Sequence, residues 1–141
     1  IQLHIVSMFL PSLITGNLLK KFGHSNIIYA GVSFFVLTIL LSFLESSFFN
    51  YLLSLVSLGI GWNFLYLSGT GLLVLSYREE EKFKAQGFND ILVFSIQALA
   101  SLSAGYMLSM TSWKTMNLIA IPFLILIVCS SVRADLYKES K

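Results

Sequence analysis

Charge is what this sequence most lacks. Of 141 residues only 9 are Lys or Arg and 7 are Asp or Glu, against 56% hydrophobic residues and a mean hydropathy of +0.80. That balance excludes an ordinary soluble domain. The single cysteine, Cys129, excludes an intrachain disulfide, and its place in the last apolar run reads as a small buried hydrophobe. The two histidines, His4 and His24, fall at opposite ends of the first apolar run and offer no metal-ligand cluster. No Ser or Cys nucleophile has a base nearby, and no glycine-rich loop carries Lys followed by Ser or Thr. An enzyme is therefore not expected, nor is a cofactor. The longest charged stretch, Arg78 to Gln86, mixes its signs within a net charge of +2, which argues against a nucleic-acid surface. The opening IQLHIV has neither an initiator Met nor a basic segment before a short apolar core, so it does not read as a signal peptide. The expectation is a piece of a longer protein.

What the chain does have is apolar runs, five of them, divided by charged breaks. Each is close to the roughly 20 residues a helix needs to cross the hydrocarbon core. The fold class expected is all-α, a polytopic helical membrane protein with spans at about 1–19, 27–44, 48–77, 88–110 and 116–132 and a charged tail at 133–141. A β-barrel is disfavoured because the runs are continuously apolar instead of alternating.

The most informative stretch is Gly59 to Gly71, GIGWNFLYLSGTG. At 3.6 residues per turn Gly59, Asn63, Tyr66 and Thr70 share one stripe, so one face of this third span is small and polar. Close helix packing explains Gly59, Gly61, Gly69 and Gly71. Asn63 beside Trp62 adds a ligand path as a second reading. In the first span His4, Met8, Pro11, Ser12 and Thr15 gather on one side, and Pro11 is expected to bend the helix. His4 reads either as an interfacial side chain or as a solute contact. In the fourth span Asp90, Phe94, Gln97 and Ser101 form a second polar seam, with Gly105 available for packing. Asp90 at the expected helix start reads as a carboxylate complementing the helix dipole, with gating as the alternative. Spans two and five are the most uniformly apolar, and both are expected on the lipid-facing periphery. Glu45 to Asn50 and Thr111 to Thr115 read as short loops, the second carrying Trp113 into the aromatic belt.

Orientation follows from the bases. Lys20, Lys21, Arg78, Lys82, Lys84, Arg133, Lys138 and Lys141 fall on one side and Lys114 alone on the other, which accounts for all 9. The richer side is expected in the cytoplasm, with the chain beginning outside and ending inside.

These residues together resemble a bacterial member of the major facilitator superfamily, from its eighth transmembrane helix to its C-terminus. HIVSMFLPSLITG followed by Asn17 to Gly23 is similar to the family's Gly-x-Leu-x-Asp-Arg-x-Gly cytoplasmic loop, with Gly16, Leu18, Lys21 and Gly23 matching. Lys20 stands in the usual Asp place, and His24 and Ser25 replace the usual basic pair. Gly59 to Leu73 resembles a tenth helix and Ala85 to Gly105 an eleventh. The resemblance implies a partial bundle in which spans two and five lie outside the central cavity. It also implies a secondary transporter working by alternating access in a bacterial inner membrane, with the lipid bilayer, a small solute and the missing N-terminal half as partners.

On that reading Asn63, Tyr66 and Gln97 are candidates for the substrate path, with His4 and Met8 behind them. Gly16, Lys20, Lys21, Gly23 and Asp90 belong to the loop or to gating. A chain of this length is expected not to transport by itself. The rival reading is an accessory subunit whose small-residue faces dock on partner helices.

Overall fold

A computed structural model describes residues 2–44 and 47–139, with side chains described as far as Tyr137. Glu45 and Ser46 of the expected loop, Lys141 at the chain end, and the side chain of Lys138 lie outside the described residues. Helices account for nearly everything else: α1 Gln2–Phe9, α2 Ser12–Phe22, α3 His24–Ser42, α4 Phe48–Val74, α5 Lys82–Met110, α6 Trp113–Ile119 and α7 Ile121–Glu139. One 3₁₀ turn, Glu79–Glu81, leads into α5. They form five stretches long and apolar enough to cross a membrane, because α1 with α2 and α6 with α7 each make one span. The chain is a multi-pass helical membrane protein.

Two of the helix breaks have visible chemical causes. Pro11 has no N–H to give to Ser7, and the first span parts at Leu10 and Pro11. Pro122 stands just after the break at Ala120 in the fifth span, where a proline is tolerated because a helix's first turn has no partner for its N–H groups. Gly23 joins α2 to α3 with φ of 81°, a conformation that side chains with a Cβ rarely adopt. Ser47 caps α4 by accepting the Asn50 N–H at 3.2 Å.

Packing centres on α3 against α4. Bare glycines let the backbones meet: a Cβ on Gly61 would stand 3.0 Å from the Gly31 carbonyl oxygen, and one on Gly31 3.1 Å from that of Gly61. One stretch further along, Thr38 and Ser54, each 1% exposed, exchange hydroxyl-to-carbonyl bonds of 3.3 Å in both directions. Each hydroxyl thereby finds an acceptor on the facing helix in a medium that offers no water. α1 packs on α4 at Gly59, where a Cβ would lie 2.5 Å from Ser7 Oγ and 2.8 Å from the His4 carbonyl oxygen. At the base-rich end His24 lies against Gly71, where a Cβ would stand 2.5 Å from Nε2.

Several expectations change here. The second span, expected on the periphery, is the most enclosed of the five, with Ile27, Ile28, Val32 and Ile39 buried. An apolar face reads the same whether its neighbour is lipid or another helix, since acyl chains are about as apolar as leucine. The charged tail expected from Arg133 is helical as far as Glu139, where it continues α7. Ser25 donates to Asp135 Oδ1 at 2.5 Å and Tyr29 to Oδ2 at 3.1 Å, fastening that helix to α3. The fourth helix starts at Lys82 instead of Phe88 and has no buried side chain.

The close approach at Gly59 predicts that Gly59→Ala destabilises the fold by about 1–3 kcal/mol, the usual range for overpacking. Gly69→Ala, at a site with nothing within 4 Å of the added carbon, should be close to neutral. Unfolding of the purified protein in detergent, followed by far-ultraviolet circular dichroism, reads the difference.

Candidate functional site

The polar side chains named from the sequence of the spans gather in two places. The first is the break in the first span. Asn63 on α4 is 3% exposed and faces that break. Its amide nitrogen donates to the Met8 carbonyl at 2.7 Å, and its Oδ1 accepts from the Thr15 hydroxyl at 2.8 Å. The carbonyl can only accept, which fixes the orientation of the amide. Thr15 also lies 2.7 Å from the Pro11 carbonyl, so its proton is shared between two acceptors on either side of the break. Two turns away His4 Nδ1 donates to the Leu55 carbonyl at 2.7 Å, which places the ring proton on that nitrogen. Asn63, His4 and the Met8 backbone are thus committed to joining the first and third spans.

The second gathering is on the α4 face turned toward α5. Trp62 and Tyr66, one turn apart, stack with centroids 4.7 Å apart and planes within 11°. Phe94 of α5 meets Tyr66 at 6.3 Å with a tilt of 51°. The Tyr66 hydroxyl interacts with Thr70 on its own helix and with Asp90 on α5. Gln97 follows Phe94 on the same side of α5, and Asp90, Phe94 and Gln97 are all exposed. A bond of 2.6 Å from Gln86 Nε2 to the Tyr77 hydroxyl tethers the start of α5 to the end of α4.

This face changes the account of Asp90. With α5 beginning at Lys82, Asp90 stands in its third turn, beyond the first turn over which a helix dipole acts on a side chain. Asn89 Nδ2 donates to its Oδ1 at 3.3 Å, and the Tyr66 hydroxyl of α4 lies near it. A groove of about 380 Å³ between α3 and α7, lined by residues such as Val32, Ile39, Leu124 and Cys129, is apolar by contrast.

The chain is similar to transporters. It is 33% identical over 128 residues, 91% of its own length, to the riboflavin transporter RfnT of Brucella anthropi, and covers 32% of that protein. It is 32% identical over 120 residues to the uncharacterized MFS-type transporter YddS of Bacillus subtilis and 32% over 121 residues to YdeG of the same organism. Each of these matches takes in 84% of the chain and 28% of the relative. Over most of its own length this chain resembles MFS-type transporters. It spans about a third or less of the length of the curated relatives it matches. No family model matches it. Nor does any solved structure.

The sites named from sequence separate. Asn63 and Met8 meet at the first break and His4 bonds the Leu55 carbonyl two turns away, while Tyr66 and Asp90 lie on the α4–α5 face with Gln97 further along α5. Gly59, Gly61 and Gly71 are closely approached; Gly69 and Gly105 have open space beside them among the described residues. Lys20 and Lys21 are exposed at the end of α2, with Lys21 Nζ over the Phe22 ring at 5.1 Å, and Gly16 is open. Trp62 and Phe94 were not among the site candidates. Their signal was available in part, since Trp62 and Tyr66 are four apart on a helix, but the pairing with Phe94 crosses two helices.

Asn63→Ala strands the Met8 carbonyl and the Thr15 hydroxyl and should cost about 1–3 kcal/mol of stability. In a double-mutant cycle with Thr15→Val, measured by denaturant unfolding in detergent, the pair should lose less than the sum of the two single changes.

Proposed function

We propose that this chain is the C-terminal part of a secondary transporter that carries a small solute across a bacterial inner membrane by alternating access, with Tyr66, Gln97 and Asp90 on the solute path. The observation that carries the reading is the uncovered α4–α5 face. A carboxylate and a side-chain amide there would be costly against acyl chains, so the face needs further protein or a wet path beside it. Asn63, Met8 and His4 belong to the path indirectly. They set the bend of the first span against the third.

The kinship to whole transporters supports the same reading, and the riboflavin named for the Brucella relative is the first solute to try. In this proposal the base-rich end of the bundle faces the cytoplasm. Lys20, Lys21, Arg78, Lys82, Lys84 and Arg133 are gathered there by the alternation of the helices, and Lys114 lies at the other end over the Phe43 ring at 5.8 Å. Half of the path would come from the missing part of the protein, so residues 1–141 alone would not transport. An accessory subunit, the rival, is favoured only by the bareness of α5, which a missing half would equally cover.

Proteoliposomes holding the full-length protein should accumulate labelled riboflavin, and vesicles holding only these residues should not. Gln97→Ala should lower uptake about tenfold, the effect of about 1.4 kcal/mol at the barrier. Unchanged uptake in that variant would remove Gln97 from the path. A reporter fused after Lys138 should be active only in the cytoplasm.

A further inference from the structure

The α4–α5 face has more definite chemistry than a general polar path. We propose that Trp62, Tyr66 and Phe94, with Asp90 at their edge, form a stacking site for a planar conjugated ring that carries N–H donors on its rim. This rests on the transport reading above and names the solute class for the same face.

Three observations lead there. Trp62 and Tyr66 already lie parallel, 4.7 Å between centroids and 11° between planes, so Trp62 backs the Tyr66 ring and holds it as a rigid flat surface. A guest ring held between Tyr66 and Phe94 needs two van der Waals gaps of about 3.5–4 Å, or roughly 7–8 Å in all. The present separation is 6.3 Å at 51°, so Phe94 has to shift by only about 1 Å and turn. It has room to do so, since it is 51% exposed on a helix that has no buried side chain. Parallel stacking of the guest would replace a tilted contact of modest worth.

The rim chemistry narrows the class further. Asp90 and the Gln97 carbonyl accept hydrogen bonds, and the Tyr66 hydroxyl both gives and accepts them. Neither α4 nor the part of α5 from Phe88 onward contains a Lys or Arg. An anionic solute would meet a carboxylate and no compensating base. A ringless polyol would leave the aromatic surface unused. A neutral flat ring with N–H groups satisfies both parts of the face, and stacking tolerates variation in the ring because every such ring has a π-face.

The test is equilibrium binding to the full-length protein in detergent, with lumichrome as a flat tricyclic probe and ribitol as a ringless control. Lumichrome anisotropy should rise with protein over that of empty micelles, and ribitol should not compete. Trp62→Leu and, on the other helix, Phe94→Leu should each weaken binding about tenfold. Trp62→Phe, which keeps a ring, should stay within about threefold, and size-exclusion profiles matching the parent protein exclude misfolding as the cause. Equal lumichrome affinity in Trp62→Leu and the parent overturns the site, as does competition by tetramethylammonium, which would mark a cation site instead. Uptake of a ringless solute into vesicles without lumichrome binding overturns the ring site and leaves transport standing. Absence of both overturns both.

Discussion

A polar group that this chain takes into the bilayer is costly to leave unpaired, because the surrounding medium supplies no partner. The contacts that hold the bundle together follow from that constraint. Thr38 and Ser54 trade hydroxyl-to-carbonyl bonds, Asn63 takes up the Met8 carbonyl and Thr15, and His4 reaches Leu55. Each bond crosses from one helix to another. Apolar contact alone would not select these pairings, since leucine is as well solvated by lipid as by protein. The glycines do the complementary work: at Gly31, Gly61 and Gly59 they bring backbones near enough for short side chains to reach across.

The result is a molecule with two unlike sides. On one, α1 to α4 are joined through small residues, with α7 fastened to α3 by Ser25, Tyr29 and Asp135. On the other, α5 stands nearly free, tethered at its start by Gln86 and touching α4 through Tyr66 and Phe94.

Much of this was legible in the linear chain, and the rest was not, for reasons that can be attached to residues. Pro11 removes a donor wherever it sits, so the break in the first span could be read directly. The stripe of Gly59, Asn63 and Tyr66 follows from helical spacing. Its division into two jobs does not. Asn63 points to the first span and Tyr66 to the fourth because the two neighbours approach α4 from different directions, which spacing along one helix cannot encode. The start of α5 at Lys82, which moves Asp90 away from the helix end, is not marked in the sequence, because the charged run Arg78 to Gln86 contains no strong cap.

By itself the sequence determined the solvent, the number of crossings and the ends at which the bases gather. These depend on composition and on periods that survive in one dimension, since burying a charge or an unpaired peptide in hydrocarbon costs too much for any packing to override. Only the tertiary structure decided that the second span is the most enclosed, that α7 returns to α3 through Asp135, and that Trp62, Tyr66, Phe94 and Asp90 share one surface. Those outcomes turn on which of several equally apolar faces meet, and lipid and leucine are too alike as neighbours for the order of residues alone to choose.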